Sequence, residues 1–251
     1  MGRLLFVVRA RAPALFMLAG AGACALLGGW FALGYDTVPG PAAAALRYGP
    51  ALVLGFSTLG LSRLGLRLWN QRTEFYERGF AHLARSSRIE ARYAELRSLA
   101  CSAVDNVQAQ GRTTILVLTT KSGETVRAVH QAAIGAPDPN LEAMSRVASA
   151  ELASAWRQQL QVRRSIDWLL DKKAQPLARI TRTGVELRAN AEAAFEPVSA
   201  ANLQYELAAG ELTLFSERRP VLKLEAGSPN VYPGLVLVAR LDREQDKGEA
   251  P

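Results

Sequence analysis

Two cysteines and two histidines are all that the 251 residues offer of the commonest metal-binding and nucleophilic side chains. Cys24 lies inside an apolar run and Cys101 far downstream, so the two are not expected to pair and no disulfide framework follows. His82 and His130 come without a cysteine cluster, which argues against zinc. No acidic loop has the ligand spacing of a calcium site, and there is no P-loop. Gly55 to Gly60, GFSTLG, lacks the glycine that a nucleophile elbow carries two positions after its serine. A histidine or lysine held beside a serine or cysteine is the usual requirement for covalent catalysis. Both histidines lie in strand-like runs with no such partner in view. Neither an enzyme nor a bound cofactor or metal is expected.

A nucleic-acid-binding face is also missing, although the net charge is +7. Arg3, Arg9, Arg11, Arg63 and Arg67 belong to the region of two apolar runs and account for five of those charges. What is left for the rest of the chain is about +2, too little for a phosphate-reading surface.

The two runs are the strongest signal in the chain. The first, PALFMLAGAGACALLGGWFALG at 13–34, has no charge and no polar face. As a helix it extends roughly 33 Å, about the hydrocarbon thickness of a bilayer. The second, GPALVLGFSTLGLSRLGLRLW at 49–69, carries charge only at Arg63 and Arg67, near its end. Arginine at a helix end lays its stem along lipid and extends its head to the headgroups. Arg11, Arg63, Arg67 and Trp69 are therefore expected at the membrane interface. Arginines cluster before the first run and after the second, while the connecting residues 35–48 hold only Asp36 and Arg47. The positive-inside rule then places both termini in the cytoplasm and 35–48 outside.

Two other patterns in the first run carry little weight. GAGACA at 20–25 fits a loose dinucleotide fingerprint but follows no strand. A lipoprotein-type cleavage before Cys24 would need the apolar run to stop there, and it continues for ten residues. Ala21, Ala25 and Gly29 recur every four positions, a spacing that suits close helix packing against the second run or another copy. An Ala/Gly-rich composition alone produces the same spacing.

Beyond Trp69 the pattern changes to strands. EFYERGFAHLAR (74–85) has strand-forming residues with a turn or bulge at Arg78-Gly79, and Ile89, Ala91 and Tyr93 alternate. TTILVLTT and TVRAVH flank a Lys-Ser-Gly-Glu turn and read as a hairpin. After a Pro/Asn stop, Leu141, Met144, Val147, Ala148, Leu152, Ala155, Trp156 and Leu160 fall at helical spacing, with Asp138 or Asn140 as the cap. That helix is expected to continue, bend or restart through RRSIDWLLDKKA. A second set follows: ARITRTGVELRA with Gly184 in the place of Gly79, then ELTLF, a polar turn, PVLKLEA, Pro229-Asn230 and a short apolar helix. Phe195-x-x-Val198 echoes Tyr93-x-x-Leu96, and the order of elements implies an internal duplication.

The segments EFYERGFAHLARSSRIEARYAELRSL, TTILVLTTKSGETVRAV and the helix 140–161 resemble the bacterial pleckstrin-homology-like (PH-like) domain, a bent antiparallel sheet closed by a C-terminal helix. They recur as ITRTGVELRANAEAAFEPVSAANL, GELTLFSERRPVLKLEA and NVYPGLVLVARL. Pro197 departs from the pattern, being awkward in a central strand. The expected fold is α+β with transmembrane helices. Residues 1–12 form a cytoplasmic N-terminus, 13–34 and 49–69 two transmembrane helices, and 35–48 an external loop. PH-like domains follow at 74–165 and 166–241, with a disordered tail at 242–251. The resemblance implies headgroup contact at a basic hairpin tip, here Arg85, Arg88 and Arg92, each worth about 1 kcal/mol beside anionic lipid. Glu90 and Glu95 nearby favour a plain solvated turn instead. The expected role is a binding or scaffolding protein of the bacterial inner membrane. Its partners are the lipid bilayer, an unidentified protein and a second copy through Ala21, Ala25 and Gly29. The alternatives are an anionic-lipid sensor or an accessory subunit of a membrane enzyme or transporter.

Overall fold

The computed structural model describes residues 1–9, 11–34, 41–84, 87–106, 111–133, 140–170, 175–188, 190, 192–208 and 210–246. The fold is α+β: the described residues form four α-helices and several antiparallel sheets. It divides into two compact units, one of Met1–Phe6, Phe75–Ala81 and Glu90–Pro251, the other of Val7–Glu74 and His82–Ile89.

The chain opens with a strand, β1 (Leu4–Arg9), where only a cytoplasmic flank was expected. LLFVVR is apolar and rich in strand formers, but an isolated strand has no stability until it finds a partner. Helices α1 (Arg11–Gly34) and α2 (Pro41–Trp69) follow. The second helix begins at Pro41, a residue type suited to the first helical turn, so it takes in part of the segment read as an external loop. Ala14–Leu33 and Tyr48–Trp69, of 20 and 22 residues, are long and apolar enough to cross a membrane.

The two helices pack antiparallel through small residues. Ala14, Ala21 and Gly28 of α1 are buried at seven-residue spacing. Gly65 of α2 lies where a Cβ would press on the Leu18 side chain and the Ala14 carbonyl, and a Cβ on Gly28 would touch Leu54. The Thr58 hydroxyl donates within its own helix to the Leu54 carbonyl at 2.8 Å, which satisfies it inside an apolar hairpin.

After the hairpin come β2 (Arg72–Tyr76), β3 (Gly79–Ala84) and β4 (Ser87–Arg92), a 3-10 turn at Tyr93–Glu95, then β5 (Leu96–Asn106), β6 (Gly111–Thr120), β7 (Thr125–Ala133) and helix α3 (Leu141–Val162). The first four strands make one sheet in the order β1-β2-β3-β4, and β5-β6-β7 make another. The same series then repeats. Strands β8 (Ser165–Leu170), β9 (Pro176–Thr181), β10 (Gly184–Leu187) and β11 (Glu196–Ser199) form a four-stranded sheet. A 3-10 turn at Ala200–Asn202 leads to a three-stranded sheet of β12 (Leu203–Ala208), β13 (Glu211–Ser216) and β14 (Arg219–Glu225), and helix α4 (Val231–Asp246) closes the series.

Gly79 and Gly184 are equivalent in detail. A Cβ on Gly79 would strike the Ala91 carbonyl oxygen, and one on Gly184 would strike that of Val198. Each glycine thus lets the last strand of its sheet lie close. This match corrects the expected echo of Tyr93-x-x-Leu96. Its counterpart is Ala200-x-x-Leu203, the second 3-10 turn and the residue after it, and not Phe195-x-x-Val198. Pro197 sits in β11, at the edge of its sheet, where a missing N–H costs no ladder bond.

Two further expectations fail. The segment after α3 does not continue as helix: Arg163 is extended and β8 begins at Ser165, with Trp168 wholly buried. Residues 242–246 are not a disordered tail but the last turns of α4, tied to α3 by Arg157 Nη2 and Glu244 Oε2 at 2.7 Å. Asp138 lies outside the described residues, and Asn140 occupies the N-cap of α3 without a side-chain capping bond.

The two repeats share one core. Leu141, Ala148, Leu152 and Leu160 of α3 are buried to 1% or less, each leucine contributing about 1.5–3 kcal/mol. Asn230, just before α4, ties the second repeat to the first. Its N–H donates to the Leu99 carbonyl at 2.7 Å, and the Leu99 N–H donates to its side-chain oxygen at 3.1 Å. Its own carbonyl accepts from the Trp168 indole at 2.9 Å.

Candidate functional site

A cavity of about 280 Å³, mainly apolar in its lining but with several polar groups, lies in the repeat-containing unit, between the first repeat's three-stranded sheet and both helices. Strand alternation sends Cys101 and Ala103 of β5 to its floor, and Arg112 enters from β6. Helix α3 supplies Glu142, Ser145 and Ser149, spaced to share a face with its apolar stripe, while Arg146 stands at the exposed rim. The first turn and a half of α4 adds Tyr232 and Val236.

The cavity walls hold polar atoms that make ion pairs at most and no hydrogen bond, and Arg112 Nε lies 4.0 Å from Asp105 Oδ1. Arg112 Nη2 approaches Glu142 Oε1 at 3.1 Å, but the contact is ionic and not aligned as a hydrogen bond. Arg112 Nε, Glu142 Oε1 and Ser149 Oγ are all buried without a hydrogen-bond partner. Among the described residues one further side-chain atom shares that condition, Thr114 Oγ1, two positions along β6 from Arg112. Such atoms cost about 1–3 kcal/mol each when nothing meets them, so their convergence on one cavity asks for an occupant. Burial, then the nearby Cys101 and Glu142, push the Tyr232 phenol above its ordinary pKa, with Arg112 acting in the opposite direction. The phenol therefore stays a neutral donor.

A second, wider groove of about 820 Å³ runs beside β10 and β11 of the second repeat. The guanidinium of Arg182 there already caps α3, donating to the carbonyls of Leu160 at 2.7 Å and Gln161 at 2.5 Å.

The residues expected to matter fall elsewhere. Arg11 and Trp69 meet at the base of the hairpin, the guanidinium 5.8 Å from the ring centroid. Arg63 and Arg67 are exposed on α2. Arg85 lies outside the described residues. Arg88 and Arg92 are exposed at alternate positions of β4 with Glu90 between them, and the Arg92 N–H donates to Glu95 Oε2 at 3.2 Å. Ala21 is buried in the α1–α2 seam, whereas Ala25 and Gly29 are exposed, so the three do not form one packing face within the hairpin. His82 lies 2.9 Å from the Thr73 hydroxyl through Nδ1, and burial lowers its pKa. The His130 ring packs edge-on against Phe6, centroids 5.7 Å apart.

Sequence reasoning missed the cavity. The readable signal was Glu142, Ser145 and Ser149 interrupting the apolar stripe of α3, since polar residues on a buried helix face need a reason to be there. Compared with models of known protein families and with curated proteins, the chain matches none.

Proposed function

We propose that this chain is a membrane-anchored binding protein. The α1–α2 hairpin is the anchor, in a bacterial cytoplasmic membrane with both termini on the cytoplasmic side. The duplicated unit, two PH-like modules sharing a core, is the binding part it presents. One observation carries the reading: the hairpin leaves its large apolar side chains outside. Phe16, Leu26, Leu33 and Phe56 are 73–78% exposed, on helices whose packing seam is made of alanine and glycine. A core helix of a water-soluble protein buries such residues, and a bilayer receives them.

The backbone supports a same-side arrangement of the hairpin's ends. Glu77 and Arg78 N–H groups, beyond the hairpin, donate to the carbonyls of Arg3 and Met1, before it, both at 3.1 Å. A chain that leaves and rejoins the same fold crosses a membrane an even number of times. The repeat order of four strands, a 3-10 turn, three strands and a closing helix supports the PH-like assignment.

Alkaline extraction of membranes from expressing cells tests the anchor. The chain is expected to stay in the pellet, and its release into the supernatant overturns the reading. Reporters fused after Pro251 test orientation: a cytoplasmic reporter is expected to be active, and an active periplasmic one overturns the topology.

A further inference from the structure

We propose that the cavity between β5, β6, α3 and α4 binds a small zwitterion of the α-amino-acid type. The inference rests on the binding half of the reading above and names its ligand class, without depending on the anchor.

The unpaired atoms set the chemistry. Arg112 Nε is a buried donor of positive charge that makes no hydrogen bond and lies 4.0 Å from the Asp105 carboxylate, Glu142 Oε1 is a buried acceptor of negative charge, and Ser149 Oγ can act as either. Ser149 is 1% exposed and sits mid-helix, yet its hydroxyl makes no bond to the preceding turn, the usual outlet for a helical serine. A plain anion answers Arg112 and is repelled by Glu142 and Asp105; a plain cation answers the carboxylates and is repelled by Arg112. A molecule carrying a carboxylate and an ammonium group on one carbon answers both from the cavity side, meeting the hydrogen-bonding capacity that the Arg112–Glu142 ion pair leaves unused.

The rim agrees with this. Arg146 and the neutral Tyr232 phenol add donors on the carboxylate side, and both helices begin at the cavity, so their first-turn N–H groups favour negative charge there. The space equals about nine waters, enough for an amino acid with a small aliphatic or hydroxylated side chain. Ala103 and Val236 offer such a side chain an apolar wall.

Isothermal titration and thermal unfolding of the full chain in detergent, with alanine, serine and leucine as probes, test the proposal against acetate, methylamine and inorganic phosphate. A single-site isotherm and a raised unfolding midpoint are expected with at least one amino acid and with none of the three controls. Ser149→Ala should weaken that binding about tenfold, the equivalent of one hydrogen bond, while its unliganded midpoint stays at or above that of the wild type because an unpaired hydroxyl has gone. Arg112→Gln should abolish binding; where that variant does not fold, Ser149→Ala carries the test. Equal responses to acetate or phosphate would overturn the zwitterion in favour of a simple anion. No response to any probe at millimolar concentration overturns the site and leaves a water-filled cavity. Either failure leaves the anchor standing, because membrane extraction is read independently of any ligand.

Discussion

Replacing Asn230 tests how the two repeats are joined. The residue is 6% exposed and held at φ 67°, in the left-handed region. Its side-chain oxygen accepts from the Leu99 N–H at 3.1 Å, a bond between residues 131 positions apart. Asn230→Ala removes that acceptor and leaves a buried N–H unmet, at about 1–3 kcal/mol. A Cβ-bearing residue without a polar side chain also costs about 1 kcal/mol in this backbone region. The expected loss is about 2–4 kcal/mol by these two terms. Asn230→Gly tolerates the positive φ and loses the acceptor together with the long Nδ2 donation to the Arg97 carbonyl at 3.5 Å, so it should cost about 1–3 kcal/mol. Urea unfolding of the full chain in detergent, followed by tryptophan fluorescence, measures both, and hydrogen exchange at the Leu99 amide should quicken in each variant. If both variants lie within about 0.5 kcal/mol of the wild type, Asn230 does not join the repeats. If alanine is costly and glycine neutral, only the backbone strain was real and the long-range bond contributes nothing.

Gly234→Ala should be at least as damaging, since its Cβ would enter the space of the Trp168 indole; a loss of a few kcal/mol and a shifted tryptophan emission are expected. Gly65→Val should separate α1 from α2, because a Cβ there meets Leu18 Cγ at 2.8 Å; loss of cross-linking between cysteines placed on the facing helix surfaces would report it. Acidification should destabilise the chain through His82, whose pKa in the folded state lies below its ordinary 6.5. The unfolded chain then binds the proton more readily, so the His82 contribution is complete above pH 6.5 and is lost as pH falls below it. His82→Asn should flatten that part of the stability profile.

What was legible in the sequence was what local physics decides. The first apolar run has no polar face, so it could not be a surface helix. The stripe from Leu141 to Leu160 declares α3, and TTILVLTT with its Lys-Ser-Gly turn declares the β6–β7 hairpin. Residues whose structure depends on distant partners were not legible. LLFVVR before α1 looks like a basic membrane flank until its sheet neighbour, more than sixty residues on, is known. SIDWLL suits helix or strand by period, and the choice is made by the seat of Trp168 beside Asn230 and Gly234. The cavity was hidden for a similar reason: Arg112, Glu142 and Tyr232 come from three separated elements, and only the polar residues Glu142, Ser145 and Ser149 on one face of α3 carried a local hint.

The duplication itself says where the helical hairpin was placed. In the second repeat, β8 passes to β9 through residues 171–175. In the first, the corresponding connection from β1 to β2 holds the whole hairpin, α1 and α2. Insertion at such a point is cheap, because the cost of closing a loop rises only slowly with its length and an antiparallel helix pair brings its ends back together. The hairpin should therefore be removable. Replacing residues 10–71 with the sequence of 171–175, Asp-Lys-Lys-Ala-Gln, gives the first repeat the connection that the second already uses. The product is expected to be soluble without detergent, monodisperse on gel filtration, and cooperative on heating. It should keep the unfolding loss of Asn230→Ala, since Leu99, Trp168 and Asn230 are untouched. An aggregated or molten product would refute the correspondence between the two connections, and with it the view of α1 and α2 as an insertion into one copy of a repeated unit.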